Sequence, residues 1–294
     1  MQPLLEVKNL VKKYKTVDAV DGISFSIPSG ICFGLLGPNG AGKTTALEVI
    51  EDIIPPTSGD VLYNGTARSS SFREEVGIQF QHTTLLNFMT VRETLATFQK
   101  LYRDAESLEY LIDICRLNDI QGQMNDKISG GQAQRLMLAL ALINKPRLVF
   151  LDEPSTGLDP QARRYLWEII LGIKEEGKTI VLTTHSMDEA EYLCDEIAIM
   201  DHGKIIAQGS PAELIEQYCQ GGSISLPRGN LKISADLLPY PHSEVNGRIE
   251  IMPDKINSGI EKLLSMNIDL TGMSVHSPNL EDVFLHLTGR TLRD

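Results

Sequence analysis

The stretch Gly37-Pro-Asn-Gly-Ala-Gly-Lys-Thr44 decides the fold class of this 294-residue chain. It fits the pattern G-x-x-x-x-G-K-[ST], follows the apolar run Ile31–Leu36 and precedes a helical pattern over residues 43–53. Glycines in such a loop let successive backbone N–H groups face phosphate oxygens, and the N-terminus of the following helix adds its positive end. The residues predicted to surround the phosphates are Gly37, Pro38, Asn39, Gly40, Ala41, Gly42, Lys43, Thr44 and Thr45.

Two of these side chains have specific expected roles. Lys43 is expected to reach the β- and γ-phosphates of a nucleotide, and Thr44 to offer its hydroxyl to Mg²⁺. Because the motif lies between a predicted strand and a predicted helix, it has the structural context that a phosphate-binding loop requires. A glycine-rich turn with a surface lysine is the alternative interpretation.

Strands and helices alternate over residues 1–220, which predicts an α/β domain. Strands are predicted at Leu4–Val7, Ile23–Ile27, Ile31–Leu36, Val61–Asn64, Val76–Phe80, Leu148–Leu151, Thr179–Thr183 and Glu196–Met200. Helices are predicted at residues 43–53, 90–102, 105–116, 160–176, 187–194 and 210–220. The segment Gly221-Gly-Ser223 has the composition of a linker, so residues 221–294 are expected to form a small second domain, roughly in β-α-β-α order. Its predicted elements are a strand at Arg248–Met252, a helix at Asp254–Met266, a strand at Ile268–Val275 and a last helix that begins at Ser277-Pro278.

A second group of candidate residues follows the apolar run Leu148–Leu151. Asp152 and Glu153 come directly after this run, and carboxylates at the carboxyl ends of parallel strands lie beside a phosphate loop. Asp152 is therefore expected to hold Mg²⁺, and Glu153 to polarise an attacking water. Taken alone, a strand that ends in acidic residues is common.

The sequence contains a second candidate phosphate cradle, Ser129-Gly130-Gly131-Gln132, which directly precedes a long helical pattern. A serine hydroxyl, two glycine N–H groups and a helix N-terminus can together bind phosphate. One nucleotide does not need two cradles in one subunit. We therefore expect this cradle to close over ATP bound to another subunit, although a simple helix cap would show the same residues.

Because of these motifs and their order, the sequence resembles the ATP-binding subunit of ABC transporters over residues 4–220. Ser129–Gln132 is similar to the family's signature motif, Ser155–Asp159 to its D-loop, and His185 to its switch histidine. The resemblance implies a P-loop NTPase domain with a helical subdomain near residues 85–145 and a small C-terminal α+β domain. It also implies ATP and Mg²⁺ as ligands, and an active ATPase.

The family resemblance also implies roles for single residues. Tyr14 matches the aromatic residue that stacks on adenine, and Gln81 matches the glutamine that binds Mg²⁺ and responds to the membrane partner. Glu153, His185, Gln81 and Lys43 are the implied catalytic residues, Asp159 belongs to the ATP site, and Thr44, Gln81 and Asp152 are the implied metal ligands. Gln79 departs from the family pattern, because this strand position is usually apolar in the family.

The C-terminal part of the chain is similar to one subfamily within this family. Gly203–Pro211, followed by Ser277–Arg290, is similar to exporters of the multidrug, antibiotic-resistance and polysaccharide type. These have one ATPase domain per chain and a separate transmembrane permease. The implied partners are that permease and a second ATPase subunit, either an identical copy or a paralogue. Gln81 and about Leu85–Tyr102 are the expected contact surface for the permease, through which alone the chain would contact a membrane.

Composition limits the other function classes. The net charge of −12 argues against a protein that coats nucleic acid, because phosphate neutralisation needs clustered lysines and arginines. The widely spaced Cys32, Cys115, Cys194 and Cys219 are expected to be free thiols in a reducing compartment. No apolar run reaches the ~18 residues needed to span a bilayer, and the first residues lack a secretory signal pattern. The expected location is the cytoplasmic face of the cell membrane, as a peripheral protein.

Two alternative functions remain open at this stage. One is an ABC-type ATPase that acts on ribosomes or DNA, and the other is a regulatory protein that only binds nucleotide. Only about 85 residues separate Lys43 from Ser129, too few for the long coiled coils of the repair members, and the translation members have two ATPase domains per chain. The presence of Glu153 and His185 favours hydrolysis over binding alone.

Overall fold

The computed structural model describes residues 2–81, 83–219, 221–231 and 233–289. Two compact units divide at Pro211 and Ala212, nine residues before the boundary that the sequence predicted. Gly221 and Gly222 belong inside the second unit, where an added Cβ would lie 2.8 Å from the Pro253 carbonyl oxygen and 2.4 Å from the His276 carbonyl oxygen, respectively. These glycines allow close backbone packing, and the linker interpretation was wrong.

The first unit contains two sheets and a group of helices. Its elements are β1 (Leu5–Lys13), β2 (Asp18–Ile27), β3 (Cys32–Leu36), α1 (Lys43–Ile50), β4 (Ser58–Tyr63), β5 (Thr66–Ala67), α2 (Ser70–Glu75), β6 (Val76–Gln79), α3 (Val91–Gln99), α4 (Leu108–Ile114), a 3₁₀ turn at Asn125–Lys127, α5 (Gly130–Leu142), β7 (Leu148–Asp152), α6 (Pro160–Glu175), β8 (Thr179–Thr184), α7 (Met187–Leu193), β9 (Glu196–Asp201) and β10 (Lys204–Gly209). The sequence interpretation missed β5, α2 and β10, which are short or lie at sheet edges.

The larger sheet has the strand order β10-β9-β3-β8-β7-β6, and all of its pairs except β10–β9 are parallel. Strands β3, β7 and β8 are buried along their whole length, as expected for parallel strands covered on both faces. The smaller sheet is antiparallel, in the order β2-β1-β4-β5. Helix α1 contacts strands of both sheets, so the helix that follows the glycine-rich loop is fixed inside the main core.

Helices α3, α4 and α5 lie in the segment that the sequence assigned to a helical subdomain. Helix α3 begins with a capping box, in which Thr90 accepts from the backbone of Glu93 while the Glu93 carboxylate accepts from the backbone of Thr90. Within the parts of the chain that the structure describes, no helix has the length and apolar character needed to cross a membrane.

The second unit has more strands than the predicted β-α-β-α order. Its elements are α8 (Pro211–Tyr218, with Pro211 at the boundary), β11 (Ser223–Pro227), 3₁₀ turns at Arg228–Asn230 and Ala235–Leu237, β12 (His242–Val245), β13 (Arg248–Ile251), α9 (Ile256–Ser265), β14 (Ser274–His276) and α10 (Leu280–Thr288). The antiparallel sheet has the order β12-β13-β11-β14.

Three strand predictions in this unit were incomplete or wrong. Strand β11 was missed except for Ser223, which was assigned to the linker, and β12 was missed because it is short, partly exposed and without apolar alternation. The predicted strand Ile268–Val275 is reduced to Ser274–His276, because the chain turns at Gly272 with φ +73°. Residues 290–294 of the predicted domain, including Arg290 of the exporter-like motif, lie outside the described residues.

Candidate nucleotide-binding site

The carboxyl ends of three parallel strands bring the predicted site residues together. Leu36 of β3 pairs with Thr184 of β8, and Asp152 of β7 pairs with Thr183. The loop after β3, the acidic pair at the end of β7 and the histidine after β8 therefore lie at one edge of the sheet, where α/β folds bind their ligands.

The glycine-rich loop between β3 and α1 is shaped by close backbone contacts. Gly42 precedes α1 with φ +100°, and an added Cβ there would lie 2.1 Å from the carbonyl oxygen of Ala19. Lys43, the first helical residue, turns its ammonium back into the loop, where it donates to the carbonyl oxygens of Gly37 (2.7 Å) and Pro38 (3.2 Å). The loop thus holds a buried cation at the start of a helix.

Asp152 contacts two hydroxyl groups from neighbouring elements. The Thr44 hydroxyl donates to Asp152 Oδ1 at 3.4 Å, and the Thr183 hydroxyl makes a short hydrogen bond to the same oxygen. Burial raises the pKa of the Asp152 carboxyl above its usual range, although both hydroxyls oppose this shift. A cation beside this carboxyl would favour its ionised form.

Four side chains surround the carboxylate of Glu153, which is 7% exposed. Gln81 Nε2 donates to Oε2 at 3.1 Å, Thr156 Oγ1 donates to the same atom at 3.0 Å, and Lys43 Nζ lies 3.7 Å from Oε1. His185 Nδ1 lies 3.3 Å from Oε2 without hydrogen-bond geometry. Three of the four predicted catalytic residues thus converge on the fourth.

The backbone at Glu153 is held in an uncommon conformation. Its φ of +48° lies in the left-handed region, which costs about 1–3 kcal/mol for a residue other than glycine. The backbone N–H donates to the carbonyl oxygen (3.2 Å) and the hydroxyl (3.1 Å) of Thr183. Strand β8 therefore fixes the turn that directs the carboxylate toward the loop.

The electrostatics of Lys43 follow from its burial. Burial lowers the pKa of its ammonium, while the charges of Glu153 and Asp152 oppose that shift. An anion placed in the loop would add a further favourable charge next to this cation. The local field thus favours phosphate.

A cavity of about 380 Å³ lies next to these groups. Its lining includes Asn39, Gly40, Gly42, Lys43, Thr44, Thr45, Gln81 and Glu153, and also Val17, Asp18, Ala19, His202 and Gly203. Tyr14 belongs to the same loop as Val17 but does not line this cavity; its ring is 50% exposed and lies 5.3 Å from Lys12 Nζ. Its expected contact with adenine stays a prediction.

The second cradle lies in a different cavity, of about 840 Å³, which is lined by Ser129, Gly131, Gln132 and Asp159 among others. Ser129 and Gln132 form a capping box at the start of α5, with Gln132 N donating to Ser129 Oγ at 3.3 Å. Asp159 caps α6 by accepting from the N–H groups of Gln161 and Ala162. Within one chain, the two cradles do not share a cavity.

Comparison with known proteins shows the family to which the chain belongs. A family model described as "ABC transporter" matches residues 20–156, and a second, described as "AAA domain, putative AbiEii toxin, Type IV TA system", matches residues 125–190. Nod factor export ATP-binding protein I of Sinorhizobium fredii is 38% identical, with 99% of this chain and 87% of that protein aligned. The protein of the same name from Burkholderia thailandensis is also 38% identical, over 99% and 98%. The chain belongs to the ABC transporter family.

Solved structures of ABC transporter subunits share the fold. The subunit cbiO1 of Clostridium perfringens, part of the transporter complex cbiONQ, has a TM-score of 0.67 at 27% identity, over 74% of this chain and 92% of that one. The ADP conformation of MJ1267, an ATP-binding cassette of an ABC transporter, has a TM-score of 0.66 at 26% identity, over 74% and 95%. The chain is accordingly an ATP-binding subunit of an ABC transporter and an ATPase. Such subunits dimerise and pair with a transmembrane permease.

Two residues of this ABC site were missed from the sequence. Thr156 donates to the Glu153 carboxylate, and Thr183 contacts both Asp152 and the Glu153 backbone. Thr183 had a readable signal, since it ends a predicted strand next to His185. Thr156 lies inside the segment Ser155–Asp159 that the sequence analysis named, and Pro154 and Gly157 beside it are typical of a turn, but its contact with Glu153 is visible only in the structure.

Proposed function

We propose that this chain binds ATP and Mg²⁺ in the loop after β3, hydrolyses the ATP with Glu153, and thereby drives export through a separate permease. The observation that carries this proposal is the convergence of Lys43, Gln81 and His185 on the Glu153 carboxylate. The loop N–H groups and Lys43 bind the phosphates, and Glu153 polarises the attacking water. Gln81 and His185 orient that carboxylate and contact the γ-phosphate region.

The residues present fit a magnesium ion that is shared with phosphate. Within the described part of the chain, no cluster of three or more histidine, cysteine or acidic side chains could hold a metal by itself. Thr44 Oγ1 and Asp152 Oδ1 lie 3.4 Å apart and supply two oxygen atoms, with Gln81 nearby. Mg²⁺ commonly takes one or two protein ligands and completes its shell with water and phosphate oxygens, where it neutralises developing charge.

We propose that two ATPase subunits complete each site. Ser129–Gln132 and Asp159 lie in a separate cavity from Lys43, so a second subunit would have to supply them to the nucleotide held here. The N-terminus of α5, as the positive end of a helix, suits a γ-phosphate. MJ0796, which is 25% identical, was solved as a dimer in a post-hydrolysis state bound to ADP and Pi. Binding would close such a dimer and hydrolysis would open it.

The permease is proposed to bind an apolar surface beside Gln81. A cavity of about 590 Å³ lies there; we call it the docking groove, and its apolar lining includes Val76, Ile78, Leu86, Phe98, Tyr102 and Met137. Leu86, Phe98 and Tyr102 are 38–46% exposed, which is unusual for side chains of this size. Of the predicted contact surface Leu85–Tyr102, the groove includes Leu85, Leu86, Thr94, Phe98 and Tyr102.

The names of the relatives support a proposed direction of transport and a proposed location of the chain. The similar proteins are named for Nod factor export, and we propose that this chain also energises an exporter from the cytoplasmic face, as a peripheral subunit. The net charge of −12 disfavours nucleic acid as a partner.

Affinity purification tests this proposal. A tagged Glu153→Gln chain would be isolated with ATP from detergent-solubilised membranes, and its partners identified by mass spectrometry. We expect a polytopic membrane protein in near-equal amount. Ribosomal or DNA-bound partners without a membrane protein would refute the transport function, and rapid phosphate release by the variant would refute the role of Glu153.

A further inference from the structure

The wall of the docking groove contains two buried polar oxygens. Glu51 Oε1 and Gln79 Oε1 have no hydrogen-bond partner among the described residues, although their side chains are only 4% and 2% exposed. Both side chains line the groove. A buried acceptor left unsatisfied costs about 1–3 kcal/mol, so two of them in the wall of one groove point to a missing donor.

The amide of Gln79 and the backbone of Glu51 are held in place. Gln79 is on β6, and its Nε2 donates to Gln134 Oε1 of α5 at 2.6 Å, which fixes one end of the amide. Glu51 directly follows α1, and its backbone N–H donates to the carbonyl oxygen of Leu47 at 2.8 Å. The amide of Gln79 is therefore preorganised by the core, and the buried carboxyl of Glu51 extends from a backbone position fixed at the end of α1.

The charged groups around Glu51 include acidic residues that raise the pKa of its carboxyl and arginines that contact other groups. Burial, Asp152 and Glu48 raise the pKa of its carboxyl to about 8. Of the nearby cations, Arg73 pairs with Asp52 at 2.9 Å. Arg68 also lies near Asp52 (3.6 Å), and it donates to the carbonyl oxygen of Ile50. A further positive charge in the groove would stabilise the ionised carboxylate.

We propose that the docking groove binds a helix of the permease whose apolar face carries one arginine or lysine, and that this cation donates to Glu51 and Gln79. The proposal rests on the proposed function, since it presupposes a permease in the groove. An apolar stem with a charged end matches the site: the methylene groups pass the apolar rim while the cation reaches the buried oxygens. A purely apolar helix would leave both oxygens without water and without a donor.

The first experiment identifies the segment that occupies the groove. A photoreactive phenylalanine analogue would replace Leu86, Phe98 or Tyr102 in the full chain, and membranes would be irradiated before mass spectrometry of the crosslinked peptide. We expect a permease segment with an arginine or lysine among apolar residues. A crosslinked permease segment without such a cation overturns this inference and leaves the proposed function intact. A lack of any membrane protein at all three positions refutes both.

The second experiment tests the pairing. We expect Glu51→Gln to weaken association with the permease by about tenfold or more, as removing one partner of a buried charged pair does. Glu74→Gln, which removes the same charge from an exposed position on α2, should have no effect. Replacing the permease cation with glutamine should weaken association similarly, and adding Glu51→Gln to it should cost little more. Additive losses in the double variant would overturn the contact.

A pH series provides a readout that a merely structural role would not change. Because the cation binds the ionised form of Glu51, binding should release a proton, and the affinity of the wild-type chain should rise between pH 6 and about 8. The affinity of Glu51→Gln should lack this rise. The charged groups that Glu51 senses, Glu48 and Asp152, and those nearby, Asp52, Arg68 and Arg73, are unchanged in the variant. Equal pH profiles for the two chains would contradict the proposal.

Discussion

Glu153, the proposed catalytic carboxylate, is held in position by several neighbours. Its left-handed backbone, held by Thr183, directs the side chain toward the loop, and contacts from Gln81, Thr156 and Lys43 keep it there. Such a geometry needs no rearrangement of the carboxylate when a γ-phosphate and a water arrive. Positioning of this kind is the main contribution that proteins make to phosphoryl transfer.

Replacing this carboxylate with its amide should separate binding from hydrolysis. We expect Glu153→Gln to keep ATP affinity within a few-fold, because the loop and Lys43 are untouched, and to slow turnover by about 10²- to 10⁴-fold. Phosphate release and binding of a fluorescent ATP analogue would measure the two quantities. The exposed Glu175→Gln serves as the control and should behave as wild type.

Gly42 offers a test of the loop geometry itself. Gly42→Ala would place a methyl group 2.1 Å from the Ala19 carbonyl oxygen at a φ of +100°, so the loop must move. We expect ATP affinity to fall by at least about tenfold, a loss of about 1.4 kcal/mol. Gly177→Ala has a similar φ of +87° but open space around the new Cβ, and should leave ATP binding unchanged. Equal ATP affinities in all three chains would contradict the close approach.

The part of the site that could be predicted from the sequence consists of short motifs. Gly37–Thr44, Asp152 and Glu153 could be read because each follows a strongly apolar strand at a parallel sheet edge, whereas His185 was identified only through the family resemblance. The orphaned oxygens of Glu51 and Gln79 could not be read, since the lack of a partner appears only when all neighbouring elements are in place. Gln79 was recognisable as an unusual polar residue, but not its bond to Gln134.

The contact between α5 and α6 shows the same limit of sequence-based prediction for secondary-structure elements. The capping box of α5 can be predicted from the order Ser129, Gly130, Gly131 and Gln132. The close contact between α5 and α6 cannot be predicted from that order. An added Cβ at Gly131 would lie 2.9 Å from the Cβ of Ala162, so the two helices meet where only glycine fits without movement. At Gly130 the nearest neighbour, Leu158 Cδ2, is 4.0 Å away.

These two adjacent glycines should respond differently to the same substitution. Alanine favours a helix over glycine by up to about 1 kcal/mol, so Gly130→Ala should hold or raise the melting temperature. Gly131→Ala gains the same propensity but pushes against Ala162, and overpacking costs about 1–3 kcal/mol. Thermal unfolding of both variants would measure the difference. A Gly131→Ala chain as stable as Gly130→Ala would show that α5 and α6 are not in close contact.

Element prediction was weakest in the second unit, and for a physical reason. Strand β11 lies between β13 and β14, and its neighbours in the sheet come from residues 248–251 and 274–276. Such long-range pairing leaves little local signal, and the glycines beside β11 favoured a turn. The parallel strands of the first unit were easier, because burial on both faces produces continuous apolar runs.

At the scale of the whole molecule, the first unit places an acidic residue between its two functional surfaces. Glu51 ends the helix that begins at Lys43, lines the docking groove, and senses the charge of Asp152 in the nucleotide site. One helix of about two turns thus separates the phosphate loop from a buried carboxyl. The ionisation of this carboxyl should therefore be visible in the stability of the folded chain.

The sign of this effect is set by the direction of the pKa shift. Glu51 keeps its proton in the folded chain up to about pH 8 but loses it near pH 4.5 when unfolded, so folding takes up a proton between these values. The stabilisation is complete below about pH 4.5 and is lost as the pH rises toward 8, at about 1.4 kcal/mol per pH unit. Glu51→Gln has no such proton, so the wild-type chain should lose stability relative to this variant across the window and level off above about pH 8. Denaturant unfolding at pH 5, 6, 7 and 8 would measure the difference, and parallel curves for the two chains would show that Glu51 is already ionised inside the folded protein.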